Sequence, residues 1–265
     1  MNMLLLIATV TFFFLSRGTP SALDTIFLNQ NITDGETKVS RHEKFELGFF
    51  SPGSSKNRYL GIWFKNTSPR TPVWVANRKF PLVNALGMVK LDSHGILSLV
   101  NDGGTVIWSS DASASSTNVS PKARLMDTGN LVIEVKNSVI WQSFDYPGDT
   151  YIPGMKLGKD LVTGREMYLT SWKSSDDPAL GEYTIRLLMV KDKYPQIYIR
   201  KGSVIETRIG PYDGIEFAGH PNSRHDSNHM YNTGMVFNEK EIYYTRSSNS
   251  STFLLSRSVM SLSGK

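Results

Sequence analysis

Short runs in which apolar and polar residues alternate dominate this chain from about residue 25 onward. Gly95-Ile-Leu-Ser-Leu-Val100 and Asn130-Leu-Val-Ile-Glu-Val135 are two of them, and clusters of Gly, Pro, Asn, Asp and Ser separate the runs. Period-two alternation between turn residues predicts half-buried β-strands, and no long stretch carries a helical period. The second half reads the same way. Gly181 to Leu187 alternates, Pro195 to Ile199 and Gly202 to Glu206 follow as strands, and Val236 to Tyr244 forms two strands around Asn238-Glu-Lys240. An all-β sandwich, barrel or prism is expected.

Internal repetition narrows that choice. Leu91-Asp-Ser-His-Gly95-Ile-Leu97-Ser-Leu99 matches Leu125-Met-Asp-Thr-Gly129-Asn-Leu131-Val-Ile133 at an offset of 34. Val106-Ile-Trp108 matches Val139-Ile-Trp141 at an offset of 33. One period earlier stand Gly61-Ile-Trp63 and Pro72-Val-Trp74, so the Gly-to-Trp distances are 13, 13 and 12. Each unit is expected to be a strand entered through a turn glycine, followed by a hairpin partner that carries a Trp inward. Leu97 and Leu99 share one face, as do Leu131, Ile133 and Val135, because side chains alternate along a strand. One unit cannot bury its own apolar face. Three close around Trp74, Trp108 and Trp141, which predicts a three-sided β-prism followed by a second β-rich domain.

The first residues add a compartment. Leu4 to Leu15 is a nearly unbroken apolar run, followed by polar Ser16 to Pro20 and small Ser21 and Ala22. This is the h-region and cleavage site of a signal peptide over 1–22, too short for the roughly 20 residues of a membrane-spanning helix. Four Asn-x-Ser/Thr sequons, at Asn31, Asn66, Asn118 and Asn249, then predict surface N-glycans on an exported chain. There is no Cys, so no disulfide framework and no thiol chemistry is expected, and stability rests on an ordinary core. The net charge of +5 loses one unit with Arg17, and the basic residues are scattered. No nucleic-acid partner is expected, nor any membrane span.

Longer stretches carry a resemblance. Glu43-Lys-Phe-Glu-Leu-Gly-Phe-Phe-Ser-Pro52, Pro72-Val-Trp-Val-Ala-Asn-Arg78, Trp141-Gln-Ser-Phe-Asp-Tyr-Pro-Gly-Asp-Thr150, Leu169-Thr-Ser-Trp-Lys-Ser-Ser-Asp-Asp-Pro178 and Gly210-Pro-Tyr-Asp-Gly-Ile-Glu-Phe-Ala-Gly219 resemble, in collinear order, signature stretches of plant S-locus glycoproteins and of the ectodomains of G-type lectin S-receptor-like kinases. Tyr212 stands where family members usually show Trp. The resemblance implies a bulb-type, monocot mannose-lectin-like domain over 23–150 and an S-locus glycoprotein-like domain over 151–265. The chain stops at Lys265, before the family's EGF-like and PAN-like modules, transmembrane helix and kinase, which points to a short secreted form, a fragment or a truncated product.

The implied role is recognition in self/non-self (pollen) discrimination or defence signalling. The implied partner is an extracellular peptide, protein or mannose-type glycan, with a receptor kinase or a second copy of the chain beside it. The implied location is the apoplast, or the plasma membrane for a fragment of a receptor.

The bulb-lectin mannose pocket uses Gln-x-Asp-x-Asn-x-Val-x-Tyr. On the third repeat this register falls on Met126, Thr128, Asn130, Val132 and Glu134. Asn130 and Val132 match, and a one-residue bulge brings Asp127 to the Asp position. The second repeat offers Asp92, His94, Ile96, Ser98 and Val100, the first Arg58, Leu60, Ile62, Phe64 and Asn66, with no match. Asp127, Asn130 and Val132 are therefore the candidate, degenerate carbohydrate site. No catalytic residue, metal or cofactor is expected. His220, His225 and His229 lie in a polar loop, and the pairs Asp145/Asp149 and Asp176/Asp177 sit beside Pro and Gly as turn-formers.

Overall fold

The computed structural model describes residues 23–111, 120–191, 193–219, 231–248 and 256–264. The expected signal peptide, the sequons at Asn118 and Asn249 and the three clustered histidines lie outside them.

Twelve strands build the first half: β1 Thr25–Phe27, β2 Asn31–Thr33, β3 Thr37–Val39, β4 Phe45–Phe50, β5 Tyr59–Phe64, β6 Pro72–Val75, β7 Met88–Leu91, β8 Leu97–Val100, β9 Val106–Ser109, β10 Lys122–Leu125, β11 Leu131–Val135 and β12 Ser138–Gln142. They form three antiparallel four-stranded sheets, ordered β3-β4-β5-β6, β2-β7-β8-β9 and β1-β10-β11-β12. The three sheets are the sides of the prism, and each Trp stands on the last strand of its sheet.

The threefold likeness extends to details. Trp74, Trp108 and Trp141 lie opposite Ile62, Leu99 and Ile133, and the ladder shifts register directly after each of those three partners. Such a bulge turns the strand end and aims the side chain. The three indoles meet edge-to-face at centroid separations of 5.8, 6.1 and 6.0 Å, a geometry worth about 0.5–1.5 kcal/mol per pair beyond burial. Just past each Trp a polar side chain ties the corner. Asn77 Oδ1, Ser110 Oγ and Ser143 Oγ accept from the backbone N–H of Leu60, Leu97 and Leu131 at 2.9–3.0 Å. Leu97, Leu99, Leu131 and Ile133 are fully buried and Val135 half-buried.

Two features depart from the expected repeat. Gly95 and Gly129 occupy hairpin turns with φ of +78° and +85°, but Gly61 does not enter its strand. It lies inside β5, paired with Gly48 and Val75. A Cβ there would come within 2.6 Å of Phe50 Cε1 and 3.0 Å of the Trp74 carbonyl, so this glycine makes room for a ring. The second departure is that one short N-terminal strand completes each side of the prism: β1 on the third, β2 on the second, β3 on the first.

The second half continues in β13 Thr150–Tyr151, β14 Lys156–Asp160, β15 Glu166–Met167, β16 Leu169–Ser174, β17 Asp177–Val190, β18 Tyr194–Lys201, β19 Val204–Ile209, β20 Tyr231–Phe237, β21 Glu241–Ser248 and β22 Ser258–Val259. Two sheets have four strands, β15-β14-β21-β20 and β16-β17-β18-β19, and β13 pairs with β22. The alternation read over 181–187 belongs to a 14-residue strand, whose residues Tyr183, Ile185 and Leu187 face the core. The main buried cluster is continuous from Ile26 to Met260. A second cluster sets Trp172 of β16 against Phe50, Tyr59, Trp63 and Val75 of the prism. No helix among the described residues is long and apolar enough to cross a membrane.

Candidate functional site

Two places carry the chemistry of a site: the third sheet, with the lectin-like register, and a cleft at the tryptophan end of the prism. On the third sheet the turn Met126–Gly129 ends with Asn130, whose side chain is used inward. Its Nδ2 donates to Gln142 Oε1 at 2.9 Å, and its Oδ1 accepts from Ser143 Oγ at 3.1 Å and from the Phe144 N–H at 3.2 Å. Asp127 faces away to the β3–β4 hairpin. Its carboxylate accepts the His42 backbone N–H at 2.8 Å and meets His42 Nδ1 at 2.6 Å. Partial burial pulls its pKa up, but the His42 bonds together hold it below its ordinary value.

Val132 is buried, flanked across the sheet by Arg124 and Gln142. Glu134, at the register position where the lectin motif has Tyr, is held by Arg124 at 2.8 Å and Lys122 at 3.2 Å. Asn130 thus directly precedes the strand β11 that carries Val132, while Asp127 is directed elsewhere.

Of the glycosylation candidates, Asn31 is exposed on β2 and Asn66 is exposed in the turn after β5.

The cleft has a volume of about 500 Å³. Its floor is the tryptophan triad, of which Trp108 is the half-buried member. Tyr146, which follows a 3-10 turn at Ser143–Asp145, stacks on Trp141 at 5.6 Å and 17°, and its carbonyl accepts from Trp74 Nε1 at 3.0 Å. The Tyr146 hydroxyl donates to Asp111. Arg165, from the β14–β15 loop of the second half, lies 4.8 Å over the Tyr146 ring and reaches Asp145 at 3.4 Å and Asp111 at 3.7 Å.

Burial pushes the Asp145 pKa up and outweighs the bonds from Gln142 and Arg165. Burial, then the bond to Asp111, pushes the Tyr146 phenol up as well.

Beneath the cleft, buried Arg78 donates Nε to the Pro178 carbonyl at 2.6 Å and Nη2 to the carbonyls of Thr170 and Ser171 at 3.0 and 3.1 Å. Asp149 is half-buried close by, and its pKa is raised by desolvation against the pull of Thr150 and Arg78. Asp176 accepts from Ser54 Oγ in the β4–β5 loop, and Asp177 from the Ala179 N–H. Both Asp pairs therefore have structural partners. Among the described residues no three His, Cys, Asp or Glu side chains gather as a metal site. Trp141, Asp145 and Tyr146 stand within one stretch of the sequence, which gives no sign that Asp111 and Arg165 meet them, because those contacts are distant in the chain.

Residues 71–173 match the family of D-mannose binding lectins. The chain is 40% identical over 228 residues to the S-locus-specific glycoprotein S6 of Brassica oleracea, covering 84% of this chain and 51% of that protein. It is 39% identical over 240 residues to the G-type lectin S-receptor-like serine/threonine-protein kinase RKS1 of Arabidopsis thaliana, covering 89% of this chain and 28% of the kinase. The chain thus spans about half the length of the glycoprotein and under a third of the kinase. Among solved structures, the chain is similar to the mannose-specific agglutinin of snowdrop bulbs (Galanthus nivalis), with 16% identity, a TM-score of 0.33, and coverage of 42% of this chain and 88% of that one. It is similar also to a monomeric monocot mannose-binding lectin of Gastrodia elata, with 16% identity, a TM-score of 0.36, and coverage of 45% and 96%.

Proposed function

Because this chain is homologous to the S-locus glycoproteins and to the ectodomain portion of G-type lectin S-receptor-like kinases, we propose that it is a secreted, N-glycosylated recognition module, not an enzyme. Its ligand is an extracellular protein or peptide, read in self/non-self (pollen) recognition or defence signalling. A receptor kinase or a second copy of the chain is the partner that carries the signal. The observation behind this reading is the state of the third sheet. Asn130 has both ends of its amide bonded internally and Glu134 is held by two cations. A sugar hydroxyl would have to break bonds already made, and a broken buried bond costs about 1–3 kcal/mol.

A working mannose lectin is the second reading, favoured by Asn130 and Val132 in register with Asp127 one residue away. Glycan-array and mannan-agarose binding by the glycosylated chain, with Asn130→Ala as the control, separates the two. Saturable mannose binding that the control loses would establish the lectin. A folded, monodisperse protein that binds no mannose leaves the protein or peptide ligand. The glycans at Asn31 and Asn66 are tested by loss of a glycosidase-sensitive mass increment in each Asn→Gln variant.

A further inference from the structure

We propose that the cleft between the tryptophan end of the prism and the second half binds the terminal ring of a neutral saccharide, at a place separate from the lectin-like register on the third sheet. Its volume of about 500 Å³ lies within the roughly 300–1,000 Å³ of small-molecule sites. The floor is aromatic, and two of its three indoles are nearly closed off, with Trp74 at 3% and Trp141 at 5% exposure. Trp108 is left to present ring surface to an occupant. An apolar CH face stacks on such a surface, while the edges of the occupant meet the polar rim.

Charge decides the class of ligand. Asp111, Asp145 and Glu166 face Arg78, Lys79 and Arg165 around the lining, so the cleft is formally neutral. The position over Tyr146 that a cationic ligand would take in an aromatic cage is already filled by the Arg165 guanidinium. An anion would meet Asp111 and Asp145. What remains is an uncharged molecule with one apolar face and several hydroxyls.

The rim suits that molecule. Asp111 and Asp145 each have about four lone-pair positions, more than the bonds from Tyr146, Gln142 and Arg165 occupy. The Arg165 bonds to Asp111 and Asp145 hold these groups in place before the ligand arrives. A single phenol ring would satisfy one of these acceptors; a pyranose satisfies several. Phe80 and Leu180, 66% and 46% exposed, stand at the mouth.

The test uses the full chain from a eukaryotic secretory host. The probes are methyl α-mannoside, methyl β-glucoside, methyl β-galactoside, N-acetylglucosamine, cellobiose and chitobiose, read by tryptophan emission and saturation-transfer NMR. At least one probe is expected to bind saturably. Asp111→Asn removes the charged acceptor and Leu180→Tyr narrows the mouth. Each is expected to weaken that binding by about tenfold or more without changing the far-ultraviolet circular dichroism, whereas Thr128→Arg, at an exposed position in the turn of the third sheet, leaves it intact. The proposal is overturned if no probe binds at tens of millimolar, or if binding survives both cleft variants. Binding lost in Thr128→Arg alone also overturns it and moves the sugar to the third sheet, which is the mannose-lectin reading. Displacement of every sugar by tetramethylammonium would make the cleft a cation site instead.

Discussion

At the scale of single residues, Arg78 and Asp149 matter more than any residue of the lectin-like register. Arg78 is one end of the Pro72–Arg78 stretch, yet nothing in its neighbours announces that its guanidinium is buried and spans to Thr170, Ser171 and Pro178. A single sequence shows the residue and hides partners about a hundred positions away. Replacing it with Met keeps the apolar stem and strands three carbonyl acceptors, each worth about 1–3 kcal/mol when left unbonded. Arg78→Met is expected to lower the urea-unfolding free energy by about 3 kcal/mol or more; a loss under about 1 kcal/mol would show that water replaces the bonds.

Asp149 gives a pH dependence whose sign is fixed. Burial, opposed by Thr150 and Arg78, raises its pKa above the ordinary 3.8, so within the window starting there the folded chain holds a proton that the unfolded chain has released. Stability then falls as pH rises through that window. Asp145 acts in the same sense. Asp127, whose pKa is lowered, acts oppositely and only below 3.8. Melting temperatures measured across mildly acidic pH should fall less steeply with rising pH in Asp149→Asn than in the parent; equal slopes would remove Asp149 from the account.

At the scale of elements, the Gly-to-Trp spacing led from the sequence to the three sides of the prism because each signal is local: a turn, a strand and its hairpin partner. The indole triad followed from that spacing. What the spacing did not reveal is non-local or depends on shape. The closing strands β1, β2 and β3 are three residues each, and β1 pairs with Lys122–Leu125 almost a hundred residues away. The glycine of the first unit sits in a strand because a ring crosses it, which no spacing can tell.

The turn glycines make a test of what the hairpin geometry costs. Gly129 and Gly104 both have positive φ, +85° and +77°, so Ala at either pays about 1 kcal/mol of backbone strain. At Gly104 a Cβ meets nothing within 4 Å, while at Gly129 it meets Phe45 Cε1 at 2.7 Å and Ile152 Cδ1 at 3.0 Å. Crowding of that kind adds about 1–3 kcal/mol. Gly129→Ala should therefore be clearly the more destabilising of the two in chemical denaturation. Equal losses would mean that the Phe45 ring moves aside freely.

At the scale of the whole molecule, the halves read from the sequence as 23–150 and 151–265 are joined by three kinds of contact. The Arg78 fan enters β16 and β17, Arg165 reaches back to Asp111 and Asp145, and Trp172 packs on the Phe50–Trp63 cluster. The match to the lectin family itself runs past residue 150 to residue 173, through most of β16. Cooperative unfolding follows from such shared burial, since neither half can open without exposing the other's apolar face. The intact chain should give one calorimetric transition with equal calorimetric and van't Hoff enthalpies. Trp172→Ala removes the apolar bridge at about 3–5 kcal/mol if fully buried, less for this half-buried ring, and Arg78→Met removes the polar one. The double variant is the case in which the halves should separate into two transitions, with the tryptophan emission of the prism following the later one. Its three-sided closure and indole triad do not depend on either bridge. A double variant that still melts in one step with coincident probes would mean that the Arg165 contacts and the continuous core suffice, and that the chain behaves as one cooperative unit from Ile26 to Met260.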